Sequence, residues 1–332
     1  MVKGCLVMIE QVSPGIFKIP IPLPNNPLKA TNAYLVKGGE RNLLIDTGFN
    51  RSECREAMDQ AIGELGIAME NTDIFITHIH GDHSGLAGYL SRPDNKIYSG
   101  RYCAHSLLGY PETGLKGFFS ELIAQSGLTD IGLSDHPGYT YASDSIESVT
   151  IVREGDILQV GEFSFQCIET SGHAPDHVCL YDQERKILFS GDHILGKITP
   201  NNTIWAPPAT ITRDYLGEYL ESLDKTAGLD IKVIFPGHRF VLEEGYKRIG
   251  ELRDHHQRRL EDVMKILGQE SMTGAQVAGR MQWDLTIRSW EDFPPGQKIF
   301  ATGEALAHLT HLVFQSMVVR ELKDGVVYYT RV

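Results

Sequence analysis

Residues 77–85 read THIHGDHSG, which places three histidines and an aspartate within the six positions 78–83. A loop of the form His-x-His-x-Asp-His can offer several ligands together only where tight turns let alternate side chains converge. Gly81 and Gly85 are expected to supply that backbone freedom. Neutral imidazole and carboxylate are the groups that zinc and similar divalent metals favour, and two metals need more ligands than one loop provides. Three later segments supply the rest: ETSGH ends at His173, FSGDH presents Asp192 and IFPGH ends at His238. Each follows a β-type run and a glycine, which predicts a loop at a strand's carboxyl end. The chain must therefore fold so that separate strand ends meet at one place.

The hydrophobic pattern agrees. Alternation from Gly15, then AYLVKGG and NLLIDTG, reads as strands in a hairpin arrangement, and 51–65 has helical periodicity. DIFITH is a short buried strand leading into the histidine loop, and KIYSG is another. Residues 103–150 break the pattern and read as a lid-like insertion containing the helical stretch GLKGFFSELIAQSG. From Ile151 the β runs ILQV, FSFQCIET, VCLYD and KILFSGD resume, and a helix over 213–227 precedes KVIFPGH. After about residue 244, Ile249, Leu252, His256, Leu260, Val263 and Leu267 recur at spacings of three and four and predict a long amphipathic helix. Short helices over 274–281 and 303–317 and a terminal hairpin complete a unit of three helices and a hairpin.

In order and context, His78, His80, Asp82, His83, His173, Asp192 and His238 resemble the metal ligands of the metallo-β-lactamase-fold hydrolases. The resemblance covers roughly residues 10–240. It implies an α/β fold, an αββα sandwich with the site on one edge of its two sheets, occupying 1–244. The carboxylate Asp192, where the antibiotic-degrading enzymes carry Cys, is similar to the glyoxalase II-like branch. By carry-over, His78, His80 and His173 hold one divalent ion, and Asp82, His83 and His238 hold a second. Asp192 bridges the two ions, and Asp46 in LLIDTG braces the histidine loop. Zn²⁺ suits such ligands, as do Fe and Mn. A pair of such ions supplies a bridging hydroxide at neutral pH, with Asp82 orienting it, for attack on an ester, thioester or lactone. His177 and His193 read as hydrogen-bond partners near the ligands. Phe118, Phe119, Tyr139, Tyr141 and Trp205 are the candidate walls of a pocket for a small or medium organic molecule. Residues 245–332 resemble a small, mostly helical winged-helix-like domain.

Charge and cysteine usage narrow the partners. A net charge of −12 disfavours nonspecific contact with nucleic acid or an anionic membrane. Segment 245–332 is near neutral, with 12 Lys+Arg against 11 Asp+Glu, and is no basic nucleic-acid reader. Its apolar helix face must be covered by the body or by a second copy, as in a homodimer. Cys5, Cys54, Cys103, Cys167 and Cys179 are scattered and odd in number, as expected of reduced thiols in a cytoplasmic protein. No run of about 18 apolar residues predicts a membrane span. The competing enzymatic readings are a phosphodiesterase or single-stranded RNA nuclease using the same metals, and a single-metal thiol dioxygenase. A non-catalytic metal-binding sensor is the competing reading outside catalysis.

Overall fold

The computed structural model describes residues 8–110, 115–129, 131, 140–284 and 289–332, with the backbone alone at 115–118. The first sheet holds β1 (Glu10–Ser13), β2 (Ile16–Pro22), β3 (Ala30–Val36), β4 (Asn42–Ile45), β5 (Thr72–Ile76), β6 (Ile97–Ser99) and β7 (Thr150–Ile151), neighbours in that order. Pairing is antiparallel from β1 to β4 and parallel from β4 to β7. The second sheet contains β8 (Ile157–Val160), β9 (Phe163–Glu169), β10 (Val178–Asp182), β11 (Ile187–Gly191) and β12 (Val233–Pro236), in the order β12-β11-β10-β9-β8.

Alternation along these strands decides the layering, because successive side chains point to opposite faces. Ile16, Tyr34, Val36, Ile45 and Phe75 of the first sheet meet Phe163, Phe165, Leu180, Phe189 and Phe235 of the second in one apolar layer. The outward-facing residues, such as Leu35, Leu44, Ile74, Cys179 and Leu188, are buried in a second cluster under helices. On the body these helices are α1 (Ser52–Leu65), α2 (Gly81–Ser84), α3 (Ala87–Leu90), α4 (Arg101–Leu107), α5 (Leu115–Ser126) and α6 (Tyr215–Ala227). Helix α1 buries Cys54, Ala57, Met58 and Ala61, a three-and-four spacing that lays one face on the sheet. The result is the αββα sandwich.

The stretch from α4 to α5 is the excursion between the parallel neighbours β6 and β7. It is more than a cover. Phe119, Leu122 and Ile123 of α5 are buried, and Ile123 clusters with the nearby Leu128 and with Ala275 and Ile299 of the C-terminal segment.

That segment comprises α7 (Gly245–Leu267), β13 (Met272–Thr273), α8 (Gly274–Arg280), α9 (Pro295–Phe314), β14 (Val318–Lys323) and β15 (Val326–Arg331), with a small sheet ordered β13-β15-β14. Two details differ from the sequence reading. The two-residue strand β13 is too short for a periodic signal. Helix α9 also begins at Pro295, not near 303, with proline at its first positions, where a missing N–H costs nothing. Gly303 lies inside this helix because a Cβ there would stand 2.4 Å from Thr203 Oγ1. It marks a close approach to the body and not a helix start.

The apolar face of α7 is buried within the chain itself, at Ile249, Leu252, His256, Leu260, Val263 and Leu267. Polar ties hold the segment on the body. Arg320 donates to the carbonyls of Pro208 and Ile211 at 3.0 and 2.8 Å, and His311 Nδ1 lies 2.8 Å from Asp214 Oδ2. Among the described residues no helix is long and apolar enough to cross a membrane. Cys54, Cys103, Cys167 and Cys179 are buried free thiols.

Candidate metal centre

All the candidate ligands stand just beyond strand ends. Asp46 follows β4, the 78–83 cluster follows β5, His173 follows β9, Asp192 follows β11 and His238 follows β12. Strands β4 and β5 are parallel, and β9, β11 and β12 run the same way within their sheet. Their carboxyl ends therefore share an edge. Val178 N–H donating to Thr77 O at 2.9 Å and Asn32 N–H donating to Gly237 O at 2.7 Å tie the two sheets there. Two glycines make the approach possible. A Cβ on Gly237 would lie 2.6 Å from Asp192 Oδ1 and His83 Cε1, and one on Gly191, at φ +46°, 2.6 Å from His177 Nε2. The expected role of Gly81 and Gly85 is not what the structure shows, since neither has positive φ. Gly81 starts the short helix α2, and Gly85 lets Gly48 O and Asn50 N come close.

Hydrogen bonds orient each imidazole. Asp46, at φ +59°, accepts the Thr77 N–H and hydroxyl, both at 2.9 Å, and His83 Nδ1–H at 2.8 Å. Because the Thr77 hydroxyl is committed to Asp46, His78 Nδ1–H donates to Thr77 Oγ1 at 2.9 Å. His173 Nδ1–H donates to Asn201 O and His238 Nδ1–H to Ala30 O, both at 2.8 Å. In all four residues the outer nitrogen carries a proton, so Nε2 is the atom that faces the centre. His80 enters the other way round. Its Nδ1 lies 2.9 Å from His78 Nε2 and 3.0 Å from His173 Nε2.

Three overlapping sets of ligand atoms result, each within 4.8 Å: His78, His80 and His173; Asp82, His83 and His238; and, joining these two groups, His78, His83 and Asp192. Asp192 lies between them: Oδ1 is 3.4 Å from His83 Nε2, while Oδ2 is 3.4 Å from His238 Nε2 and 3.7 Å from His173 Nε2. His83 Nε2, His238 Nε2 and Asp192 Oδ1 are buried without a hydrogen-bond partner. Orphaned polar atoms of this kind are costly unless something else satisfies them.

The electrostatics point the same way. Burial, then the neighbouring His173, push the His80 imidazole down to about 3. Burial, then His83 and His80, hold His78 well below the usual imidazole range. In the other group burial again opposes charge, but Asp192, Asp46 and Asp82 outweigh it and raise His83 well above that range. His238 is pushed up to about 10 by Asp192 and Asp82 against the effect of burial. Burial would raise the Asp82 carboxyl, yet His83 and His238 hold it at about 2. One half of the centre thus offers neutral lone pairs and the other demands positive charge. A divalent cation answers both, so the residues present fit the metal that the ligand set implies.

The remaining candidates separate. His177 is no ligand: its Nε2 accepts the Asp192 N–H at 3.1 Å and its Nδ1 meets Thr170 Oγ1 at 2.8 Å. His193 points away, to Thr226 Oγ1 of α6 at 3.0 Å. Its expected place beside the ligands is corrected, because the turn after Asp192 sends adjacent side chains to opposite sides. A cavity of about 190 Å³ opens over the ligands, lined by His80, Asp82, His173, Asp192 and His238 and by apolar residues that include Phe49, Phe119, Leu122, Ile299 and Phe300. Phe119 is therefore a wall of the cavity. Trp205 and Tyr141 do not line it. Trp205 backs the ligands, its ring 5.5 Å from that of His80 and its Nε1 donating to His173 O at 3.2 Å. Tyr141 packs on Phe49 and under Arg51. The Phe118 side chain and Tyr139 lie outside the described residues. Sequence reasoning missed Thr77, Asn201, Ile299 and Phe300. Thr77 had a signal in its position between the strand and the first histidine; the others act only through tertiary contact.

Fold and site together define a metal-dependent hydrolase that binds divalent metal. The chain belongs to the metallo-beta-lactamase superfamily, whose model matches residues 26–238, and the model "Metallo-beta-lactamase-like, C-terminal domain" matches residues 291–332. It is 27% identical over 307 residues to a protein of Bacillus subtilis named "Probable metallo-hydrolase", covering 89% of this chain and 92% of that one. It is 25% identical over 263 residues to the "Atrochrysone carboxyl ACP thioesterase" of Aspergillus fumigatus, covering 78% and 67%. The crystal structure of a metallo-beta-lactamase family protein from Thermus thermophilus superposes with a TM-score of 0.82 at 27% identity, covering 97% of this chain and 100% of that one.

Proposed function

We propose that this chain is a binuclear hydrolase of esters or thioesters carrying an apolar acyl group, in the glyoxalase II-like branch of its superfamily. The observation that carries this reading is the pair of ligand groups with the Asp192 carboxylate between them, facing a largely apolar cavity. His78, His80 and His173 would hold one ion and Asp82, His83 and His238 the other, with Asp192 shared. Divalent ions held there, Zn²⁺ foremost, would supply Lewis acidity and a nucleophile at neutral pH. The chain's own part is to orient the ligands through Asp46, Thr77, Asn201 and Ala30, and to seat the acyl group on the apolar wall. In hydrolysis water adds to the carbonyl carbon, the C–O or C–S bond breaks, and the leaving oxygen or sulfur departs with a proton. A relative named as an acyl carrier thioesterase supports this class.

For residues 245–332, the order helix, strand, two helices and hairpin, with strands arranged β13-β15-β14, supports the winged-helix-like reading. The near-neutral charge of this unit and its docking on the body support a structural role over nucleic-acid binding.

The test is elemental analysis of protein reconstituted without chelator, combined with a panel of esters, thioesters, lactones and phosphodiesters. About two ions per chain and turnover confined to acyl substrates are expected. Full activity at one ion per chain, or turnover of phosphodiesters alone, would sink the reading.

A further inference from the structure

The cavity over the ligands is assembled from parts of the chain far apart in sequence. Phe49, Phe119 and Leu122 come from the body, whereas Ile299 and Phe300 come from the second turn of α9. This turn is held firmly. Asn201 Nδ2 donates to Phe300 O at 3.2 Å, while Asn201 O accepts His173 Nδ1–H at 2.8 Å. One residue thus ties the apolar wall to a ligand. Wall and ligand cannot move apart without breaking one of these bonds.

The size of the space sets what it can take. An enclosed apolar cavity of about 150 Å³ accommodates one benzene ring, and this one, open to solvent and lined on one side by the ligands, measures about 190 Å³. We propose that the second turn of α9 gauges the acyl group, with Phe300 as the specificity-determining residue. It admits one aromatic ring or an alkyl chain of about six carbons, the carbon count of that ring, and resists longer chains. The proposal rests on the ester or thioester reading above. Phe300 is chosen over Ile299 because Ile299 is 3% exposed and also packs with Ile123, Leu128 and Ala275. Phe300 is only partly buried, so its ring can change with less damage to the interior.

The experiment uses the full, metal-loaded chain and p-nitrophenyl esters of straight-chain acids from acetyl to dodecanoyl. Calorimetric binding of the corresponding free carboxylates gives a readout that does not depend on turnover. In the wild type kcat/KM should peak near hexanoyl and fall by at least about tenfold at decanoyl, since each methylene misfit in such a pocket costs about tenfold or more. Phe300→Ala should move the peak toward decanoyl and Phe300→Trp toward butanoyl, with carboxylate affinities shifting in the same order. Unmoved peaks in both folded variants overturn the gauge. If no ester in the series is hydrolysed, the ester reading fails, and the carboxylates still decide the gauge: affinity independent of chain length in wild type and variant overturns it. Should Phe300→Ala not fold, Phe300→Leu replaces it, with a smaller shift in the same direction expected.

Discussion

The oxygens of Asp192 face nitrogens of both ligand groups, Oδ1 that of His83 and Oδ2 those of His238 and His173, and its backbone N–H is itself held by His177. This makes two neighbouring positions separable by experiment. Asp192→Ala removes the carboxylate from both groups, so hydrolysis and bound metal should be lost while circular dichroism stays that of a folded protein. His177→Ala removes only a support behind Asp192, and such supports typically matter by about 10–100-fold in metal affinity or activity. Measured kcat and metal content for the two variants check this. Equal inactivity would mean that His177 ligates and that the assignment is wrong. At this scale the sequence was highly legible for the candidate ligands, because His and Asp next to strand-ending glycines carry their chemistry in their identity. It was poorly legible for Trp205, His193 and Tyr141, because nothing in a residue's identity tells which way its side chain points.

Helix α5 shows the same division one level up. Its apolar character predicts a helix over the site, and the helix is there with Phe119 and Leu122 on the cavity. What periodicity could not reveal is that the opposite partner is the C-terminal unit. Ile123 packs with Ala275 and Ile299, so α5 is a pocket wall and a core element together. Excising it should therefore leave no soluble protein, and a point change is the informative test. Leu122 is 1% exposed. Leu122→Ala should lower unfolding free energy by about 2–5 kcal/mol, the range for buried leucines whose sites cannot fully collapse. Urea denaturation measures it, and a loss below about 1 kcal/mol would mean that α5 lies loosely on the surface.

For the whole molecule, the joint between the two units is lined by neutral histidines. Asn202 Nδ2 donates to His256 Nε2 at 3.2 Å, His256 Nδ1–H to His308 Nε2 at 3.1 Å, and His308 Nδ1–H to Glu304 O at 2.7 Å. Burial, with Arg259, His255 and His311 nearby, pushes His308 down to about 3. Burial, then His308, His255 and Arg259, hold His256 well below its ordinary value. Both folded pKa values lie under the unfolded value of about 6.5. Between them the unfolded chain binds the extra protons, so this stability is complete above about pH 6.5 and is lost as pH falls toward the folded values. The slope should approach about 1.4 kcal/mol per pH unit for each group. Denaturant unfolding between neutral pH and pH 5 should show a shallower fall in His308→Gln than in wild type. Identical slopes would remove this pair from the account.

The sequence by itself made the strand and helix pattern and the seven candidate ligands legible, and their resemblance to the metallo-β-lactamase-fold hydrolases implied the sandwich and the reaction class. Alternation of period two, glycines before the ligands, and the coordination chemistry of imidazole and carboxylate are local properties written in consecutive residues. Tertiary structure alone decided which hydrogen bonds orient each histidine and that α9 completes the cavity. It also decided that His256, on the predicted apolar face of its helix, meets His308 at the joint between the two units. These are contacts between residues tens to hundreds of positions apart, and they depend on side-chain direction and close packing. Neither leaves a periodic trace in the chain.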